Sequence, residues 1–285
     1  MSDPPPAAPR RPSPRQERRS LWLFLALAPR LPRVEQPEPP ERLAPYAPLW
    51  IERPGRRGRL TGTWYPAVGA ARGAVLLLPP WLEWGQSYFH RRRRVERLRE
   101  AGYHAMSVDF PGFGGSGPVD GYFDRDVADA LADLARRAPD LPLHVWGVSS
   151  GGYWSHPVLS NGAARATGGR GVAAAFFEDV SPHLIGWASR TAPWARPFHR
   201  LFRLLFPDAF RFLDLRLHAA ALRGRRLAYV SGEADPGVPP RHTRELAAAA
   251  GAEARIVPAA GHLEAIKRAT DEVLDLAVAT FESAG

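Results

Sequence analysis

From about residue 59 onward, short apolar runs alternate with amphipathic stretches of helical length. Arg59 to Tyr65 alternates as a half-buried strand does. The apolar runs that follow are Gly73 to Leu78, His104 to Phe110, Leu143 to Gly147, Gly171 to Phe177, Arg226 to Ser231 and Ala254 to Pro258. Between and after them the apolar spacing predicts helices over about 86–101, 124–137, 240–250 and 264–282, with a short helix after Gly147. Strands that alternate with helices of this length predict an α/β fold, a mostly parallel central sheet with helices on both faces. A chain of 285 residues fits one large domain of this kind with additions.

Two stretches break the rhythm. Residues 183–222 hold Trp187, Trp194, Phe198, Phe202, Phe206, Phe210 and Phe212, spaced for two helices with Pro207 and Asp208 between them. A segment this long between strands predicts a helical lid. Residues 1–47 form an arm rich in Pro and Arg, which buries too little apolar surface to offset its ordering entropy and is expected to be largely mobile. Residues 48–285 make the main domain. Within the arm, the eight apolar residues Leu21 to Ala28 follow Arg18, Arg19 and Ser20 and are cut short by Pro29 and Pro32. They predict a short apolar helix near 20–28 that Ser20 caps, docked on a cytoplasmic protein. Export through a twin-arginine-like N-terminus, or membrane contact through the arm, is the alternative. No apolar run reaches the ~18–20 residues of a membrane-spanning helix.

The net charge of +9 raises the question of nucleic acid, and its location answers against it. Residues 1–60 carry 12 Arg against 6 acids, whereas residues 61–285 carry 26 basic residues against 23 acidic ones. The body is nearly balanced, so no nucleic-acid partner is expected. The chain has no Cys, which removes disulfides, thiolate catalysis and Cys-based zinc sites together.

The chemistry concentrates where Leu143 to Trp146 runs into Gly147, Val148, Ser149, Ser150 and Gly151, a G-x-S-x-G turn. Such a turn reverses sharply from strand to helix and lifts its Ser into the open at the strand's C-terminal end. The Ser150 N–H is then aimed at any oxyanion formed beside Ser149, with the helix N-terminus adding favourable potential. A Ser hydroxyl needs a base within hydrogen-bond reach. Of nine His, His262 follows an apolar run through Ala259, Ala260 and Gly261, which places it on the same sheet edge as Ser149. The others enter strands, begin helices, follow the elbow helix or lie in the insertion. The base in turn needs a carboxylate to hold its tautomer. Asp235, after the run Arg226 to Ser231, is favoured; Glu178 and Asp179, ending the preceding strand, are its rivals. The second oxyanion donor is sought in the loop after Leu78. Pro79 and Pro80 have no N–H to give, so Trp81 is the first residue able to donate.

Gly112 to Gly117 also satisfies G-x-G-x-x-G after a strand. A dinucleotide fingerprint requires those glycines to open a helix directly, with an acidic residue at the end of the next strand. Here a polar stretch from Pro118 to Tyr122 intervenes, and the acids about 20 residues on, Asp129 and Asp133, fall within a helix. No cofactor is expected.

With these residues in hand, the sequence resembles the α/β-hydrolase superfamily over about residues 58–285. The matching segments are Val75 to Trp81, Asp109 to Ser116, Gly147 to Gly151, Gly232 to Pro239 around Asp235, and Gly261–His262. The order Ser, Asp, His is that superfamily's own; Pro79–Pro80 departs from its usual oxyanion pair. The resemblance implies catalytic residues Ser149, Asp235 and His262, an oxyanion hole from Trp81 and Ser150, and an acyl-enzyme route with neither metal nor organic cofactor. Trp84 and Tyr88, with Trp187, Trp194, Phe198 and Phe202, are expected to line an apolar substrate pocket. A small-molecule carboxylic ester with an apolar acyl group is the expected substrate. Thioesterase, lactonase, amidase or peptidase and acyl-transfer activities are alternatives on the same triad. A non-catalytic binding protein on the same fold is a further one.

Overall fold

The computed structural model describes residues 4–17, 34–81, 85–183 and 196–282, with only the backbone described at 196, 198 and 199. Eight strands form one sheet: β1 (Ala47–Ile51), β2 (Leu60–Tyr65), β3 (Gly73–Leu78), β4 (Tyr103–Val108), β5 (Leu143–Val148), β6 (Ala174–Glu178), β7 (Arg226–Gly232) and β8 (Glu253–Val257). Their spatial order is β1-β2-β4-β3-β5-β6-β7-β8. The first two pairings, β1 with β2 and β2 with β4, are antiparallel, and all the others are parallel. The mostly parallel sheet agrees with the sequence reading.

The helices of the described residues include α1 (Arg94–Glu100), α2 (Phe123–Arg137), α3 (Ser150–Asn161), α4 (Arg196–Leu205), α5 (Pro207–Phe212), α6 (Leu215–Ala221), α7 (Pro240–Ala250), α8 (Ala265–Arg268) and α9 (Thr270–Glu282). In the central strands every residue is buried, and successive side chains feed different cores. Leu76, Leu78, Val145, Phe177 and Tyr229 pack with α2, α3, α6 and α7 on one face. Val75, Leu77, Trp146, Phe176 and Val230 pack with α1, α8 and α9 on the other. Coverage of both faces is why these strands read as unbroken apolar runs rather than as alternating ones.

Two sequence expectations change. The helix expected over 86–101 is broken: a 3₁₀ turn spans Gly85–Tyr88, and α1 begins only at Arg94. Arg92 and Arg93 between them take positive φ. Asp109 accepts hydrogen bonds at 2.8 Å from both the backbone N–H and the side-chain amide of Gln86, which draws the start of that segment out of helical register. The expected helix over 264–282 is likewise split, at Ala269, into α8 and α9. The described stretches of the arm contact the body. The Arg11 guanidinium pairs with Asp124 of α2 at 3.0 Å, Gln16 donates to Asp208 of α5 at 2.9 Å, and Val34 bridges to Phe113. Ala47 starts an edge strand on β2. The apolar helix expected near 20–28 lies outside the described residues.

In the insertion, α4 and α5 meet at Phe206 with Pro207 opening α5, as the spacing predicts. Its last helix, α6, instead belongs to the body: Leu215 and Ala219 are fully buried against α3 and α7.

Candidate active site

Ser149 sits between β5 and α3 at φ 48, ψ −111, a conformation that L-residues adopt only when the surroundings impose it. The surroundings here are close-packed backbone. A Cβ at Gly147 would lie 2.6 Å from Gly152 Cα, and one at Gly151 would lie 2.1 Å from the Leu78 carbonyl oxygen. The two glycines of the motif therefore let the turn pass against itself and against the end of β3. The Ser149 N–H donates to the Glu178 carbonyl at 2.8 Å, and its own carbonyl accepts from Tyr153 N–H at 2.8 Å as α3 begins. The loop after β3 that carries Trp81 is thus packed directly on the elbow.

Ser149 Oγ lies 3.4 Å from His262 Nε2, and His262 Nδ1 lies 2.6 Å from Asp235 Oδ2. The residues that sequence reasoning named as nucleophile, base and acid are brought together from the ends of β5, β8 and β7. Asp235 is anchored by two backbone donors, Gly237 N–H at 2.7 Å and Val238 N–H at 2.8 Å on its Oδ1, which leaves Oδ2 to the imidazole. Burial would raise the Asp235 carboxyl. The His262 hydrogen bond and charge, with those two N–H groups, outweigh it and hold the carboxyl below its usual range. Burial acts to lower His262, but Asp235 and Asp179 together raise it above an ordinary imidazole. The His side chain remains 31% exposed while that of Asp235 is fully buried, so the imidazole is reachable and its partner is shielded.

The rivals have different partners. The Glu178 carboxylate accepts from Trp146 Nε1 at 2.6 Å and pairs with Arg94 at 3.4 Å. Asp179 lies close to His262. Its Oδ2 accepts from Leu263 N–H at 2.8 Å and its Oδ1 from Gly232 N–H at 3.3 Å.

The aromatic residues divide. Trp81 is half-buried with its ring 5.5 Å from that of Phe123, and its Nε1 has no acceptor among the described residues. Ser150 Oγ, at the start of α3, likewise has no partner there. Tyr88, expected to line a pocket, is instead a core residue: it is 5% exposed, its hydroxyl donates to Glu178 at 3.2 Å, and the Arg94 guanidinium lies 4.0 Å from its ring centroid. A buried carboxylate and guanidinium draw the phenol inward, a contact invisible in local spacing. Phe202 is 9% exposed with its ring 5.4 Å from Phe206, joining α4 to the start of α5. Trp84, Trp187 and Trp194 lie outside the described residues, as does the Phe198 side chain.

The glycine-rich turn after β4 is occupied by its own fold. Gly112 N–H donates to the Gly117 carbonyl, Gly114 N–H to Val34 and Gly117 N–H to Arg59, at 3.0, 2.7 and 2.7 Å. Ser116 Oγ donates to the Asp109 carbonyl at 2.8 Å. These donors serve the protein and are not aimed at a phosphate. Among the described residues, the one cluster with metal-ligand spacing is Asp179, Asp235 and His262.

A family model described as the alpha/beta hydrolase family matches residues 75–276. No curated protein matches the sequence. Among solved structures, the chain is similar to the esterase Pf2001 of Pyrococcus furiosus, with 16% identity, TM-score 0.70 and coverage of 89% of this chain and 98% of that one. It is also similar to a highly thermostable carboxyl esterase from Bacillus coagulans, with 15% identity, TM-score 0.60 and coverage of 84% and 98%. A third is a monoglyceride lipase of Saccharomyces cerevisiae, with 16% identity, TM-score 0.60 and coverage of 90% and 97%. At these identities the likeness is one of fold. With the family match spanning well over half of its length, the chain belongs to the alpha/beta hydrolase family.

Proposed function

We propose that this protein is a serine hydrolase that cleaves carboxylic esters through an acyl-enzyme, favouring an apolar acyl group. The observation that carries the reading is the relay from Ser149 Oγ to His262 Nε2 at 3.4 Å and from His262 Nδ1 to Asp235 Oδ2 at 2.6 Å.

Ser149 Oγ attacks the ester carbonyl carbon while His262 Nε2 takes its proton, and Asp235 stabilises the imidazolium that results. The tetrahedral oxyanion rests on the N–H of Ser150, at the start of α3, and on that of Trp81. His262 returns the proton to the departing alcohol. Water, deprotonated by His262, then attacks the acyl-enzyme carbonyl; as the Ser149 Oγ–acyl bond breaks, His262 returns that proton to Oγ and the acid is released. The aromatic residues that the sequence concentrates in 183–222, together with half-buried Trp81, are what favour an apolar acyl group. The names of the similar structures, two esterases and a lipase, support an ester substrate.

A fluorophosphonate probe tests the assignment. Wild-type protein is expected to be labelled at residue 149 and Ser149→Ala is not; equal labelling of both sinks the reading. A panel of esters with graded acyl chains, beside thioester and amide analogues, tests the substrate. Faster turnover of the thioester or amide than of every ester overturns that part.

A further inference from the structure

Asp179 is a buried carboxyl beside the base that the reaction proposed above does not use. Its backbone is at φ 50, and Leu263, which follows His262, is at φ 59. Left-handed backbone at non-glycine residues persists where neighbouring structure imposes it, and here the two positions are joined. Leu263 N–H donates to Asp179 Oδ2 at 2.8 Å, while Gly232 N–H, at the end of β7, donates to Oδ1 at 3.3 Å. The same strand end meets the His262 loop closely: a Cβ at Gly232 would lie 2.2 Å from the Ala260 carbonyl oxygen. One carboxyl thus ties the ends of β6 and β7 to the loop that carries His262. An oxygen of Asp179, an oxygen of Asp235 and a ring nitrogen of His262 all lie within 4.8 Å of one another. Among the described residues, no Lys or Arg pairs with Asp179, so the imidazole is the cationic partner within its reach.

We propose that Asp179 is a positioning residue for His262 and a second carboxyl partner of its imidazole, fixing the His262 loop through Leu263 N–H and adding negative charge beside the imidazolium formed when Ser149 attacks. The proposal rests on the assignment of Ser149 and His262 given above. The base is then served by acids from two adjacent strands, β6 and β7.

The surrounding charges set how the pair titrates. Burial pushes the Asp179 carboxyl up to about 7; His262 and the Leu263 N–H act against this, and Asp235 and Glu178 add to it. Asp179 in turn raises His262. Behind Glu178 stand Tyr88 and Arg94, both bonded to its carboxylate. Toward solvent, Glu233 accepts from Ala259 N–H and Glu264 from Gly261 N–H. Two groups this close, each shifted by the other, titrate as a coupled pair.

The test measures how the rate of Ser149 labelling by a fluorophosphonate varies with pH, in wild type and in Asp179→Asn. Loss of the negative charge lowers the His262 pKa, so the acid limb is expected to move to lower pH by about half a unit or more. The plateau rate is expected to fall about 10-fold, with the loss for a short ester appearing in kcat and less than about 3-fold in KM. An unchanged limb with a rate within about 2-fold of wild type overturns the proposal while leaving the serine assignment standing. Labelling of Ser149→Ala equal to wild type removes both. Should Asp179→Asn not fold, proton NMR of wild-type His262, assigned by its loss in His262→Gln, decides. A two-step titration of its ring is expected, and a single step overturns the proposal.

Discussion

Glu178 and Asp179 are consecutive residues whose carboxyls have separate partners, Glu178 toward Trp146 and Arg94, Asp179 toward the loop of His262. Glu178 ends β6, and the left-handed backbone of Asp179 just beyond it turns the chain and parts the two side chains. One carboxyl is therefore committed to the core and its neighbour is free to meet the site.

That commitment predicts a stability defect for Glu178→Ala. The change leaves the buried Arg94 charge without its carboxylate and Trp146 Nε1 without an acceptor. Breaking a buried pair in this way costs about 3–5 kcal/mol. Urea denaturation is expected to show a loss of that size. A stability within about 0.5 kcal/mol of wild type contradicts the assignment.

His262→Gln is expected to slow acylation of Ser149 about 10⁴-fold, because the amide cannot take the proton. Its thermal midpoint should stay close to wild type, since the side chain is partly exposed at the rim. Stopped labelling experiments on protein of verified fold check this. A loss smaller than about 10-fold means another group acts as the base.

Gly151→Ala forces a methyl group to within 2.1 Å of the Leu78 carbonyl oxygen. Neither backbone can yield without moving β3 or the elbow, so a loss of about 2–4 kcal/mol with disrupted labelling is expected. Gly162→Ala is the control: its Cβ finds the Val158 carbonyl oxygen at 3.6 Å, an ordinary contact, and its midpoint should barely change.

His156 gives a pH dependence with a defined sign. It is fully buried in α3, between the Gly152 carbonyl and the Tyr229 hydroxyl, and burial lowers its pKa from 6.5 to about 4. Between those values the unfolded chain binds the proton that the folded one excludes, so this group makes stability rise with pH from about 4 to 6.5. His156→Gln, which does not titrate, is expected to flatten the rise. The comparison is the slope of unfolding free energy against pH in the two proteins, and equal slopes refute the attribution.

Much of this was legible in the sequence, because the informative features are local. The apolar runs of β3, β5 and β7 mark strands buried on both faces, and Gly147 to Gly151 encode a reversal that needs no distant partner to be recognised. The position of His262 just beyond a strand followed from the same logic. Residues 86–101 misled, because the helix is interrupted by Asp109, which a helical pattern cannot reveal. Tyr88 misled for the same kind of reason: its partners, Glu178 and Arg94, come from other elements.

The sequence by itself determined the layered α/β architecture, the turn that exposes Ser149 and the order in which serine, acid and histidine follow one another. Periodicity and turn chemistry are short-range properties and survive in one dimension. Only the tertiary structure decided which carboxyl meets His262 directly, which one accepts from the Leu263 N–H and which is buried against Trp146 and Arg94. Those choices depend on strand order and on the direction in which each strand end turns, so they exist only once β6, β7 and β8 lie side by side.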